Sequence, residues 1–156
     1  MIITVSGTPG TGKTTLSKKL SKKLNYKYLD VARLIKINKI AESYDKKRKC
    51  YVVDVQKLNK LLTEKIKKYP NLIIDSHLSH HLPKKYVDLC IITKCNIKEL
   101  EKRLKKKKYS KAKIRENLDC EIFDICLNEA KEAGHKILII STTKGININK
   151  IIKKLR

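Results

Sequence analysis

Residues 7–14 read Gly-Thr-Pro-Gly-Thr-Gly-Lys-Thr and meet the spacing G-x-x-x-x-G-K-[ST] at every fixed position. These residue types in this order make a phosphate cradle. Gly7, Gly10 and Gly12 let the backbone wrap closely and aim several N–H groups at one anion, with Thr11 inside the same loop. A helix starting near Lys13 adds its positive dipole end. Lys13 can then reach the β- and γ-phosphates of a nucleoside triphosphate, and the Thr14 hydroxyl suits Mg²⁺. A chance glycine turn is the alternative. The flanks argue against it: the apolar run Ile2–Val5 precedes the loop, and Leu16, Leu20 and Leu24 follow at helical spacing.

A second feature is Leu72-Ile73-Ile74-Asp75, an apolar run that ends in a carboxylate. P-loop enzymes hold Mg²⁺ with such an aspartate, directly or through water. Alone the pattern is weak, because many strands end in Asp as a turn or helix cap. Beside a phosphate loop it assigns Asp75, with Thr14, to the metal. His77 stands two residues on, where it can position water or act as a base, or simply pack. His77, His80 and His81 invite a zinc reading, but no carboxylate or cysteine set completes one in the sequence.

These residues need elements to position them. Short apolar runs, Ile2–Val5, Tyr28–Leu29, Leu72–Ile74, Leu89–Ile92 and Ile137–Ile140, alternate with helical patterns over 13–24, 54–68, 97–106, 111–133 and 147–155. Asp54, Asn96 and either Asn147 or Asn149 can cap three of those helices. Continuous apolar runs suit strands covered on both faces. The alternation predicts an α/β fold of three layers: a parallel sheet of about five strands with helices on both faces. No linker or second core divides residues 1–156, so one domain is expected. Ligands of such a sheet bind at the carboxyl ends of its strands. There the phosphate loop, Asp75-Ser76-His77, Thr93-Lys94 and the stretch 141–145 should converge.

The net charge is +23, and only five of the 38 basic residues are arginines: Arg33, Arg48, Arg103, Arg115 and Arg156. So basic a chain attracts polyanions such as RNA. The lysines are spread along the sequence, however, and aromatics are scarce, so no base-stacking platform is evident. A lysine-rich composition explains the charge equally well. The short first apolar run is no signal peptide, and no run is long enough to span a membrane. The five cysteines form no C-x-x-C pair; reduced thiols in a cytoplasmic monomer are expected.

A small kinase needs a segment between the phosphate loop and the 72–75 strand to hold the phosphoryl acceptor. Residues 30–68 are available, with Arg33 and Tyr44-Asp45-Lys46-Lys47-Arg48 as candidate contacts. A basic lid should follow the fourth strand, and Arg103 through Arg115 lies there. The whole chain resembles the small adenylate kinases of archaea and the eukaryotic nucleus that are linked to small ribosomal subunit assembly. The resemblance rests on GTPGTGKTTL, on Asp30-Val31-Ala32-Arg33, on Tyr44-Asp45 with Val53-Asp54, on Ile74-Asp75-Ser76-His77, and on Lys108-Tyr109-Ser110 through Glu116-Asn117 and Cys120–Phe123.

That resemblance implies transfer of the γ-phosphoryl group of Mg-ATP to AMP or another nucleoside monophosphate (NMP), with slower ATP hydrolysis. It implies an NMP-binding segment at about 28–51 and a lid at about 103–115. Arg33, Tyr44 and Asp54 would serve the monophosphate, and Thr15 the α-phosphate. Arg103 and Lys107 would neutralise the transferred group, His77 would position water, and Lys144 would lie against adenine. It also implies a small-subunit ribosomal protein and pre-ribosomal RNA as partners. Two alternatives stay open: a ribosome-assembly ATPase with secondary kinase activity, and a small-metabolite kinase on the same fold. The chain departs from the family pattern at the lid, where Lys107-Lys108-Tyr109 replaces R-G-Y; lysine offers a point charge without the bidentate fork. Lys94 also stands where an arginine often follows the fourth strand, and Lys46–Lys49 where acidic residues are common.

Overall fold

The computed structural model describes residues 1–46 and 50–155. Lys47, Arg48 and Lys49, which include two of the candidate acceptor contacts, lie outside the described residues. Five parallel strands form the central sheet: β1 (Ile2–Ser6), β2 (Lys27–Asp30), β5 (Leu72–Asp75), β6 (Leu89–Lys94) and β7 (Ile137–Ser141), in the spatial order β2-β5-β1-β6-β7. Strand β1 is central and pairs with β5 on one side (Ile3 opposite Ile73) and β6 on the other (Val5 opposite Ile91). The helices α1 (Lys13–Leu24), α2 (Val31–Asn38), α3 (Val55–Lys68), α4 (Ile97–Lys106), α5 (Lys111–Ile122), α6 (Ile125–Glu132) and α7 (Ile148–Leu155) complete the fold.

Strict alternation along β1 and β5 divides the core. Ile2, Leu72 and Ile74 point to one face, where Val31, Leu34, Leu58 and Leu62 cover them. Ile3, Val5 and Ile73 point to the other, under Leu16 and Leu20 of α1 and Ile151 of α7. Both faces are dry, which is why these strands read as unbroken apolar runs. A separate cluster, Leu100, Leu104, Ile114 and Leu118, joins α4 to α5. Truncating one such fully buried leucine to alanine costs about 2–5 kcal/mol.

Three features differ from the expectation, whereas the cap of the last helix is one of the two expected. The chain forms α2 directly after β2, with Asp30 accepting from Arg33 N as its cap. A two-stranded antiparallel hairpin, β3 (Ala41–Asp45) and β4 (Cys50–Val53), fills the space before α3. The single helix expected over 111–133 is broken: Asp124 turns left-handed (φ 53°) and separates α5 from α6. The last helix is capped by Asn147, whose Oδ1 accepts from Lys150 N.

Candidate active site

At the carboxyl ends of the strands lies a cavity of about 620 Å³, within the usual range for small-ligand sites. The loop contributes Gly10, Gly12, Lys13, Thr14 and Thr15; His77 follows β5; Arg103, Lys106 and Lys107 come from the end of α4; Gly145 and Ile146 follow β7. The structure thus brings together from distant sequence most of the predicted nucleotide-side residues.

The residues present fit a phosphate group. Gly10 and Gly12 both adopt positive φ, 91° and 88°. Helices α2, α3, α4 and α5 each begin with a side-chain cap, whereas α1 begins at Gly12 with none and with no acidic residue in its first turn. Its N-terminal donors are left for an anion. Around the donors stand the cations of Lys13, Arg103, Lys106 and Lys107. The Thr14 hydroxyl is exposed at the cavity.

The loop is braced from behind. Thr11 Oγ1 donates to Thr8 O at 2.7 Å and lies 2.6 Å from Thr93 Oγ1. Thr142 Oγ1 donates to Thr11 O at 2.6 Å. Thr8 Oγ1 donates to Glu121 Oε2 at 2.7 Å. Glu121 is buried; its other oxygen accepts from Cys95 N at 2.8 Å and pairs with Lys94 Nζ at 3.1 Å. Lys94 therefore does not line the cavity and holds the α5–α6 junction through Glu121 and Asp124. Residue spacing carries no mark of the Thr8–Glu121 bond, which joins residues 113 apart.

Lys13 Nζ donates to Gly7 O at 2.8 Å and Thr8 O at 3.0 Å. Burial lowers its pKa to about 8, against the opposing pull of Asp75. Asp75 is 7% exposed, and its Oδ2 accepts from the Tyr28 hydroxyl at 2.8 Å. His77 opens into the cavity, yet its walls strip hydration from the ring and Lys13 adds positive potential. Its pKa falls to about 4, so the imidazole is neutral near pH 7. A neutral imidazole can accept a proton or orient water.

On α4, Arg103 is pre-positioned. Its Nε donates to Glu99 Oε1 at 3.0 Å and its Nη2 to Thr142 O at 2.8 Å. A Cβ on Gly10 would meet Leu100 and Leu104 at 3.0 Å, so the loop packs directly on the helix that carries Arg103. The segment expected as a lid forms a tight turn between α4 and α5. Lys108 takes a left-handed φ of 55°, Ser110 caps α5, and Lys113 Nζ lies 4.0 Å from the centroid of the Tyr109 ring.

The acceptor-side candidates lie elsewhere. Arg33 is exposed on α2 and does not line this cavity. Tyr44 packs edge-on against Tyr51 across the hairpin, at 5.1 Å between centroids. Asp54 caps α3, accepting from Gln56 N and Lys57 N. Lys144 is exposed beside the cavity, which Gly145 and Ile146 line in its place. The zinc reading also changes: Glu129 supplies the carboxylate that the sequence around His80 and His81 lacks.

Comparison with known proteins agrees with this geometry. The family described as AAA domain matches residues 3–124. The chain is 38% identical to the "Putative adenylate kinase" of Methanocaldococcus jannaschii over 88% of its own length and 76% of the relative's. It is 32% identical to the adenylate kinase isoenzyme 6 homolog of Caenorhabditis elegans, covering 84% of this chain and 72% of that one. Among solved structures, deoxyadenosine kinase from M. mycoides with bound dATP superposes with a TM-score of 0.64 at 17% identity, covering 99% and 98% of the two chains. Shikimate kinase from Acinetobacter baumannii gives 0.67 at 15% identity, covering 99% and 92%; at such identities these two show the fold. The phosphate loop with its braces, the α4 cations and these relatives together place the chain in the P-loop nucleoside monophosphate kinase superfamily, in the family of the adenylate kinases.

Proposed function

We propose that this protein is an adenylate kinase that transfers the γ-phosphoryl group of Mg-ATP to AMP. The observation that carries the proposal is the facing of the uncapped α1 terminus and Lys13 by Arg103, Lys106 and Lys107 across one cavity. Those groups and His77 line one cavity, and their positive charge suits a triphosphate. Transfer of this kind needs positioning and charge neutralisation, with no covalent intermediate.

In this reading the loop amides and Lys13 hold the β- and γ-phosphates, and Thr15 bonds the α-phosphate. Thr14 and Asp75 would hold Mg²⁺, Asp75 partly through water, and the ion would offset the negative charge of the phosphates. Arg103 and Lys107 neutralise charge on the transferred group. Arg33 grips the AMP phosphate, with Tyr44 and Asp54 shaping the same segment. Lys144 shields the adenine from outside the cavity.

An acceptor panel tests the proposal. AMP should be phosphorylated at least tenfold faster than a hydroxy acid or a sugar. Arg33→Ala should raise KM for AMP more than KM for ATP. Preference for a hydroxy acid would move the protein to the small-metabolite reading, and equal loss for both nucleotides would move Arg33 out of the acceptor site.

A second reading is favoured by the neutral His77 beside the γ-phosphate side and by the +23 charge. There the protein hydrolyses ATP during small ribosomal subunit maturation, with a ribosomal protein or pre-ribosomal RNA as partner. Hydrolysis stimulated by such RNA, with a steep salt dependence, would support it. His77→Ala should then reduce hydrolysis more than transfer.

A further inference from the structure

Against β1, folding assembles a ligand set that the sequence keeps apart. His80 and His81 belong to the short 3₁₀ turn Ser79–His81 after β5, and Glu129 belongs to α6. The ligand atoms of the three lie within 4.8 Å of one another. We propose that His80, His81 and Glu129 bind a borderline divalent transition cation such as Zn²⁺, separate from the Mg²⁺ of the phosphate cavity.

The chemistry of His80 carries the argument. The residue is 1% exposed, and both ring nitrogens are spoken for: Nε2 lies 2.7 Å from Glu129 Oε2 and Nδ1 lies 2.7 Å from Ser6 Oγ. A histidine that ligates a metal through one nitrogen donates the other N–H to a nearby acceptor, which fixes the ring. Ser6 Oγ is that acceptor. Without metal, Nε2–H donates to Glu129 and Nδ1 accepts from Ser6. With metal, the ring only changes tautomer. The proton moves to Nδ1 and bonds Ser6 Oγ, the Ser6 hydrogen turns to His77 O at 3.3 Å, and the Nε2 lone pair is freed. The ring stays neutral throughout and no proton is lost.

The spacing needs little adjustment. A tetrahedral cation about 2.0–2.1 Å from nitrogen and oxygen ligands spaces them roughly 3.3 Å apart. His80 is fixed in the core, while His81 and Glu129 are exposed and free to settle by that amount. The His81 ring already lies 4.2 Å from the His80 ring, centroid to centroid. Two imidazoles and one carboxylate leave a position for water and select Zn²⁺, Ni²⁺ or Cu²⁺ over Mg²⁺. Such a cation would tie α6 to the turn after β5. It would also fix Ser6, the residue next to Gly7 of the phosphate loop.

The rival position for a thiophilic ion is the pair Cys120 and Cys126, where Cys120 Sγ accepts from Thr8 Oγ1 at 3.6 Å. The experiment separates the two. The full chain, freed of metal and nucleotide, is titrated with Zn²⁺ by calorimetry and with Co²⁺ by visible absorption. His81→Ala and Glu129→Gln are titrated alongside, and thermal unfolding without metal checks that both variants fold. One Zn²⁺ per chain is expected, weakened about tenfold or more by each substitution, with a tetrahedral Co²⁺ spectrum that lacks the intense thiolate band. No binding, binding unchanged in either variant, or a thiolate band would overturn the site.

Discussion

Tyr28 donates its hydroxyl to Asp75 Oδ2 at 2.8 Å, so the outermost strand of the sheet holds the carboxylate that faces Lys13. The bond fixes one oxygen of Asp75. Burial and this contact push the Tyr28 phenol well above its ordinary value. Tyr28→Phe keeps the ring and removes the bond. The expected result is a stability loss of about 1 kcal/mol, with a several-fold rise in the Mg²⁺ concentration needed for half-maximal turnover. Unfolding in urea and a Mg²⁺ titration measure the two; an unchanged Mg²⁺ requirement would show that Asp75 does not depend on Tyr28.

With Lys13 holding phosphate as proposed, proton binding is tied to nucleotide binding. Its folded pKa of about 8 lies below the ordinary 10.5 because burial disfavours the charge. Between those values the unfolded chain binds a proton that the folded chain lacks, so stability should rise with pH across that window. A polyphosphate beside Lys13 reverses the imbalance. At pH 8.5, ATP binding should take up protons, seen calorimetrically as a heat that changes with the buffer's ionisation enthalpy. Lys13→Met should abolish the uptake.

For His77 the sign works on the acid side. Its folded pKa of about 4 lies below the ordinary 6.5. The unfolded chain therefore takes up the proton first, and stability should fall as pH drops from 6.5 toward 4 and stay flat just above. His77→Gln should remove part of that slope in acid unfolding. An equal slope in the variant would assign the acid sensitivity to other groups.

Gly7 is the tightest point of the loop. Its φ is 138°, and a Cβ there would lie 2.5 Å from Thr93 Oγ1 and 2.6 Å from Thr93 O. Gly145 also has positive φ, but nothing lies within 4 Å of its Cβ position. Gly7→Ala should abolish the thermal shift produced by ATP, whereas Gly145→Ala should retain most of it. Backbone strain alone costs about 1–3 kcal/mol, so any larger loss at Gly7 measures the clash with Thr93.

The sheet and the phosphate loop were legible because both are local. Buried parallel strands write themselves as apolar runs, and the loop requires glycines at fixed intervals. The hairpin was not legible, since Glu42, Ser43 and Tyr44 are all exposed and lack an apolar alternation. Nor was the break at Asp124, where a non-glycine residue takes a left-handed turn without glycine or proline to announce it. The contacts Tyr28–Asp75, Thr8–Glu121 and His80–Glu129 join residues 47, 113 and 49 apart. Only topology creates such pairs. Spacing marks the groups proposed to touch phosphate, while the groups that hold them in place come from wherever the chain returns.

The most direct test is ADP formation from Mg-ATP with and without AMP, with transferred phosphate counted separately from free phosphate. AMP should yield two ADP per ATP consumed with little free phosphate, and Lys13→Ala should lose both transfer and hydrolysis. Free phosphate that dominates and ignores AMP would contradict the kinase assignment and leave an ATPase.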